Sequence, residues 1–291
     1  MYINLIVLLC KRLNAFNANC KFLDRHNLCC VLTLSENVLK YTSKGLCKFT
    51  RYGGKTMFTV NIFNETHKLN ARTPVIKLLK DDGKRYVAVK VNNRLRELNF
   101  ELSYDCDVIP LDLTSSDADK VYSTSMRYLI ALAFHNLYPD YQIKISYAIS
   151  RSIMVTVIEP KVIMDKAMLT AVKAEMERLV AADIPFEKTV LPKEEAYDYF
   201  MNSNQIDKAQ TLQYRPEKIC HFYKCGDYLN YMYGYMTPST GYLKDFNMFM
   251  YDGHFILQYP RYEYDGKIPE FKDEPTLAKV LKRAHKWAKL C

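Results

Sequence analysis

The pattern of apolar and polar residues changes at Met57. Residues 1–56 show no sustained period of 2 or 3.6, whereas MFTVNIF, which begins at Met57, alternates as a strand does. Downstream, the pattern predicts a short helix from Pro74 to Leu79, a strand at YVAVKV and a closing strand at DVIPLDL. This order of elements predicts a small β-grasp-like domain over residues 57–114.

Longer elements follow. A long helix is predicted to run to Leu137, since Pro139 forbids further extension, and Ser115, Ser116 and Asp117 can each cap its start. Two alternating strands, YQIKISYAI and SIMVTVIE, precede a second helix capped by Asp165. Shorter helices are predicted at 193–201 and 205–212, strands across 219–233 and 247–259, and a last helix at 275–290. The fold class is therefore α+β, with long helices packed on an antiparallel sheet.

Charge and cysteine are concentrated in the first 56 residues. These residues have a net charge of +7 out of the total of +9, so the rest of the chain is nearly neutral and its charge alone does not indicate nucleic-acid binding. Five of the nine cysteines lie there too, and the odd total argues against a secreted disulfide framework. The apolar run from Ile3 to Cys10 is shorter than the ~20 residues of a membrane span. We therefore expect a cytoplasmic protein with no membrane anchor.

The same residues are unlike the rest of the chain in a second way. Codons for Gly53, Gly54, Lys55 and Thr56 can form a purine-rich ribosome-binding site just before Met57, so we expect 1–56 to be a non-native or disordered upstream extension. Gly-Lys-Thr also ends a phosphate-binding loop, but Phe49 stands where that motif needs its first glycine. No nucleotide cofactor is expected in this chain.

Three segments carry a family resemblance: YSTSMRYLIALAFHNLYP, AADIPFEKTVLPKEEAYDYF and GDYLNYMYGYMTPSTGYLKDF. In this order they resemble the N-terminal half of threonyl-tRNA synthetases, which has a TGS domain (57–114) and the second additional domain (115–270) that removes mischarged serine. A bacterial family in which this pair precedes a uridine-kinase-like domain is the most similar, because PSTGYL and LQYPR are characteristic of it. The resemblance implies that 271–291 is a connector helix toward a kinase domain absent from this chain.

The reactive residues of the synthetase editing site are replaced. The resemblance places its His-x-x-x-His pair at Thr124 and Tyr128, or at Tyr122 and Met126 in a shifted register, and its Cys-x-x-x-His pair at Met232 and Met236. None of these side chains binds zinc or exchanges protons near neutral pH. We expect no catalytic residue and no metal.

The resemblance also implies a surviving cleft between the long helix and the tyrosine-rich segment. Rings there would stack on a ligand, and Ser239 and Thr240 would supply polar contacts. The alternative is that these tyrosines are core residues. The predicted cleft residues are Thr124, Tyr128, Tyr231, Met232, Tyr233, Gly234, Met236, Ser239, Thr240, Gly241 and Tyr242.

The remaining candidate ligands have simpler interpretations. Cys220 and Cys225 lie on an alternating strand beside His221 and are expected to be buried thiols, because no second ligand pair follows at zinc spacing. His135 is expected to be a surface or helix-end histidine, because a cation suits the last helical turn, and His254 is expected in an exposed hairpin turn.

Three functions stay open. The first is a non-catalytic regulatory module of a uridine-kinase-like nucleoside kinase, with a nucleoside, a nucleotide or a tRNA 3′ end as ligand and a kinase domain in cis or in trans as partner. The second is a free-standing editing-type hydrolase of aminoacyl-tRNA with a substituted active site. The third is a structural docking module.

Overall fold

A computed structural model of the protein describes residues 19–22, 30–34, 37–42, 45–51, 57–79, 84–160, 162, 164–203 and 205–287. Contacts divide the chain into two compact units. One comprises Met1–Phe58 and Lys68–Ala71, and the other Thr59–His67 and Arg72–Cys291. The expectation that 1–56 is an upstream extension rests largely on residues outside this description.

The first unit contains four strands that the sequence pattern did not predict. They form an antiparallel sheet in sequential order, and valine and threonine in CVLTL and NVLKYT favour extended backbone. The strands are β1 (Asn19–Phe22), β2 (Cys30–Leu34), β3 (Asn37–Thr42) and β4 (Gly45–Arg51).

The next seven strands form a mixed sheet and a short pair. The sheet has the order β6-β5-β11-β8-β9, with β5 and β11 parallel and the flanking pair of β11 and β8 antiparallel. Alternation in FTVNI buries Val60 and Ile62 and exposes Asn61, as the pattern predicts. The strands are β5 (Phe58–Ile62), β6 (Glu65–Leu69), β7 (Thr73–Pro74), β8 (Ala88–Val91), β9 (Arg94–Arg96), β10 (Glu101–Leu102) and β11 (Cys106–Leu111).

The short helix predicted from Pro74 to Leu79 is smaller than expected. It is a single 3-10 turn, Val75–Lys77. The amide of Val75 donates to the carbonyl of Phe100 at 3.0 Å and that of Ile76 to Leu98 at 2.9 Å. These bonds hold the turn against the following segment.

Residues after 115 form five α-helices on two antiparallel sheets, and the predicted α+β class is confirmed. The sheets have the orders β12-β13-β18-β17 and β14-β15-β16. Within the described segments, every helix is too short or too polar to cross a membrane. The elements are α1 (Ser116–Leu137), β12 (Gln142–Ile149), β13 (Ser152–Glu159), α2 (Lys166–Ala182), β14 (Glu187–Pro192), α3 (Lys193–Asn202), α4 (Ile206–Gln213), β15 (Ile219–Cys225), β16 (Tyr228–Asn230), β17 (Asn247–Tyr251), β18 (His254–Gln258) and α5 (Pro275–Trp287).

Local sequence signals set the ends of the two long helices. The carboxylate of Asp165 accepts the amide of Met168 at 2.7 Å and caps α2, as predicted. At the other end of α2, Asp183 adopts a left-handed conformation (φ 49°) and closes the helix. Helix α1 ends one residue before Tyr138, and Pro139 follows.

Helix α1 is the centre of the larger core, and Tyr128 is its most constrained polar residue. The Tyr128 side chain is fully buried, with its hydroxyl 3.0 Å from the carbonyl oxygen of Tyr223 and 2.9 Å from that of Tyr228. Its ring packs edge-on against Phe186 and Tyr228. The helix is thereby joined to the β15–β16 hairpin.

We predict that Tyr128→Phe lowers the free energy of unfolding by about 1–3 kcal/mol, because a buried carbonyl loses its donor. For a protein of this size, each kcal/mol shifts Tm by about 2–4 °C, which thermal unfolding followed by circular dichroism resolves. Tyr214→Phe is the matched control, since Tyr214 is 88% exposed. Equal Tm values for wild type and Tyr128→Phe would contradict the prediction.

Candidate ligand-binding cleft

The segment after β16 crosses α1 at close range. The amide of Thr237 donates to the hydroxyl of Ser125 at 2.9 Å. At Gly234 the backbone comes so near the helix that a Cβ atom would lie 3.0 Å from Oγ1 of Thr124. Glycine at this position therefore permits the approach that forms the floor of a cleft.

A cavity of about 550 Å³ opens beside Gly234, and we call it the Tyr233 cavity. Its walls come from β9, the N-terminal half of α1, the β14–β15 pair and the segment after β16. The lining residues are Leu95, Lys120, Val121, Thr124, Lys188, His221, Phe222, Tyr223, Met232, Tyr233, Gly234 and Tyr235.

Two tyrosines and an arginine form a cluster beside the cavity. Tyr233 is 89% exposed, and its ring meets Tyr231 edge-on with 4.8 Å between centroids. The guanidinium of Arg215 lies 4.8 Å from the Tyr231 ring centroid and donates to the Tyr231 hydroxyl at 3.0 Å. Tyr231 is thus held in place, and Tyr233 presents a free face to solvent.

The ammonium group of Lys188 lies between two aromatic rings of the cavity lining. Its ammonium lies 4.8 Å from the ring centroid of Tyr235 and 5.7 Å from that of Tyr223. It also pairs with the carboxylate of Glu97 at 2.7 Å, and that carboxylate accepts the Tyr223 hydroxyl at 3.0 Å. The segment that follows β9 therefore positions a charged group of the cavity.

A second cavity of about 320 Å³ lies on the other side of Met232, and we call it the Lys208 cavity. Lys208 donates to the side-chain oxygens of Gln205 at 2.6 Å and Asn230 at 2.9 Å. Burial lowers the pKa of Lys208, and the charge of Asp207 opposes this only in part. The Lys208 cavity therefore contains an amine that loses its proton more readily than an ordinary lysine.

The structure corrects the interpretation of two histidines. His135 lies in the last turn of α1, as expected for a helix-end histidine, but its ring packs on Tyr228 with 4.8 Å between centroids and burial lowers its pKa, so a cationic surface role does not fit. His254 is half-buried, with Nδ1 3.1 Å from the Thr156 hydroxyl. The reason in both cases is an aromatic or polar neighbour that is distant in sequence.

Four of the predicted cleft residues, Thr124, Met232, Tyr233 and Gly234, line the Tyr233 cavity. Tyr231 and Met232 line the Lys208 cavity, so Met232 separates the two. Tyr242 is half-buried beneath the ammonium of Lys84, which lies 5.2 Å from its ring centroid. The other predicted residues line neither cavity.

Ser239 and Thr240 do not supply polar contacts to the cleft, which corrects that expectation. The Thr240 hydroxyl is fully buried, donates to the carbonyl of Leu179 at 2.6 Å and accepts the amide of Ile184 at 2.8 Å. Ser239 donates to the carboxylate of Asp183. Both hydroxyls are used to close the C-terminal end of α2.

Tyr128, Met236 and Gly241 are likewise structural. Tyr128 and Met236 are buried in the core cluster. The Gly241 amide donates to the Asp183 carboxylate at 3.2 Å, and a Cβ at Gly241 would overlap that carboxylate and Lys84. Tyr128 therefore does not form a cleft wall, because its hydroxyl reaches through the core to the hairpin.

The prediction of buried thiols is confirmed. Cys220 and Cys225 are buried, and burial raises the pKa of Cys225 to about 12. Across the described segments, no three His, Cys, Asp or Glu side chains come close enough to hold a metal ion.

Of the polar residues that line the two cavities, five that contribute to their charge and hydrogen bonding were not predicted to do so. No local motif marks them, and only the alternation of β15, which turns His221 away from buried Cys220, offered a signal. They are Lys120, Lys188, His221, Lys208 and Asn230.

Comparison with known proteins supports the synthetase part of the resemblance. No family model matches the chain. The chain is 31% identical over 168 residues to the threonine–tRNA ligase of Fusobacterium nucleatum, covering 57% of the chain and 27% of that protein. The ligase of Clostridium kluyveri is 27% identical over 160 residues, which are 55% of the chain and 25% of that protein. The ligase of Methylococcus capsulatus is 27% identical over 204 residues, which are 69% of the chain and 32% of that protein. The matches span a quarter to a third of these curated relatives.

We predict that the stability contributed at Lys208 rises with pH. The pKa of Lys208 is lower in the folded chain than in the unfolded chain. At pH values between the folded pKa and the ordinary value of about 10.4, the unfolded chain therefore binds a proton that the folded chain lacks, and stability rises with pH. The unfolding free energy of wild type relative to Lys208→Met should therefore increase from pH 7 to pH 9.5, as measured by urea titration.

The matched control is Lys173→Met, which alters a lysine on α2 that pairs with Glu177 at 3.9 Å. A difference between wild type and Lys208→Met that stays constant or falls with pH would contradict the prediction.

Proposed function

We propose that this chain is a non-catalytic module that binds a nucleoside-sized ligand or the 3′ end of a tRNA in the Tyr233 cavity. The observation that carries the proposal is the cavity itself, which lies between the helix and the tyrosine-rich segment of the resemblance. At the positions of the former reactive pairs, the cavity has Thr124 and Met232 in its lining, while Tyr128 and Met236 are buried. These groups support binding without acid–base chemistry.

The size and chemistry of the cavity suit such a ligand. Its volume of about 550 Å³ lies within the usual range for small-molecule sites. A base would stack on the exposed ring of Tyr233, whose edge-on neighbour Tyr231 is itself held by Arg215. Similarity to threonine–tRNA ligases supports a tRNA end as one candidate ligand.

The proposed role is regulatory. In this arrangement 57–114 is a TGS-like domain, 115–270 an editing-like domain and 271–291 a connector toward a uridine-kinase-like partner in cis or in trans. Ligand binding in the Tyr233 cavity would tune that partner in the cytoplasm. The resemblance of PSTGYL and LQYPR to the kinase-linked family supports this finer proposal.

We predict that Tyr233→Ala weakens binding of adenosine and of a short CCA-ended RNA by roughly 5- to 150-fold, since a stacked base is worth ~1–3 kcal/mol. Isothermal titration calorimetry on the full chain measures this. Tyr214→Ala is the control, because Tyr214 is equally exposed and lines neither cavity. If neither ligand binds the wild type, the nucleoside-binding proposal fails.

One observation favours the hydrolase as a second candidate. Lys208 has a pKa that burial lowers, and it lies in the cavity that adjoins the Tyr233 cavity at Met232, where a lysine that gives up its proton more readily is the side chain suited to a general base for ester hydrolysis. We predict that the purified chain does not deacylate seryl-tRNA above the spontaneous rate. If the wild type deacylates seryl-tRNA and Lys208→Met does not, the chain is a hydrolase and the non-catalytic proposal is wrong.

A further inference from the structure

The lining of the Tyr233 cavity has an unbalanced charge. It contains two lysines, Lys120 and Lys188, and one histidine, His221, but no aspartate or glutamate. The Lys208 cavity differs, because Asp207 accompanies its basic residues. A cavity with cationic and without anionic lining groups suits an anion.

The carboxylates that flank the two lysines are shared with other donors. Asp117 pairs with Lys120 at 3.2 Å and also with Lys90 at 2.9 Å. Glu97 pairs with Lys188 and accepts the Tyr223 hydroxyl. Each of these two carboxylates is therefore shared between a lysine of the cavity lining and a second donor.

The two lysines differ in freedom. Lys188 is restrained by the rings of Tyr223 and Tyr235, and the hydroxyl of Tyr235 is in turn bound by Arg96 at 3.0 Å. The Lys120 side chain is 72% exposed at the base of α1 and can adjust to a ligand. One fixed and one adaptable ammonium in the lining of the same cavity can bind different oxygens of one anion.

We propose that Lys120 and Lys188 form a phosphate-binding subsite in the Tyr233 cavity, with His221 beside it. The inference rests on the proposed function and states that the ligand is phosphorylated. The subsite binds the phosphate that is joined to the 5′ oxygen of the nucleoside stacked on Tyr233. A free nucleotide and the last phosphodiester of an RNA 3′ end share this chemistry. Charge-assisted bonds from two ammonium groups would add affinity that an uncharged nucleoside cannot gain.

The test compares adenosine, AMP and the trinucleotide CpCpA by calorimetric titration into the full chain at one fixed, low salt concentration. We expect AMP or CpCpA to bind about 10-fold or more tightly than adenosine. Lys120→Gln and Lys188→Gln should each remove most of this gain, measured as the affinity for AMP or CpCpA relative to that for adenosine in the same variant. Lys173→Gln, an exposed lysine outside the cavity, is the matched control.

The outcomes separate the subsite from the nucleoside site. Equal affinities for adenosine, AMP and CpCpA overturn the subsite and leave the proposed function standing, whereas AMP binding without adenosine binding supports the subsite and overturns nucleoside stacking. A gain that survives in the double variant overturns the subsite, and so does a failure of all three ligands to bind. If Lys188→Gln does not fold, Lys120→Gln decides. A preference for AMP or for CpCpA, once the lysine dependence holds, identifies the natural source of the phosphate.

Discussion

The fit between α1 and the β15–β16 hairpin is the constraint on which the larger unit depends. Tyr128 crosses the core and places its hydroxyl between two hairpin carbonyls, while its ring fills the space beside Phe186. Because a hydroxyl has one hydrogen, it serves the two acceptors only where both are near, and this fixes the distance between helix and hairpin. The segment after the hairpin is then delivered across α1 at Gly234, and the walls of both cavities follow from that crossing.

Local signals in the sequence predict most of the elements of the larger unit. The Asp165 cap and the Ser150–Arg151 turn, whose two residues both have positive φ, depend on neighbours in sequence, and the cap was predicted. The unpredicted strands at 19–51 show the limit, because their periodicity is weak and their pairing is set by backbone contacts between neighbouring segments. The 3-10 turn at Val75 is similar, since carbonyls 25 and 22 positions away accept the amides of Val75 and Ile76.

The candidate site could be predicted only in part. Tyr233 and Gly234 stand out as a ring and a turn residue in one short segment, and they line the cavity. The family resemblance implied that Ser239 and Thr240 supply polar contacts to the ligand. In the fold they meet the end of α2, more than fifty residues earlier, and satisfy its orphan groups. Lys188 and Lys208 acquire their surroundings from partners that no local pattern reveals.

The segment that crosses α1 is held unevenly. Its second half, from Thr237 onward, is tied to Ser125, Asp183 and Leu179 by buried hydrogen bonds, whereas Tyr233 near its start projects into solvent. Adjustment to a ligand would thus be concentrated in about five residues at the start, and the rest would act as a fixed anchor. Most of the conformational entropy that a loop of this length loses on binding has therefore been lost already, during folding.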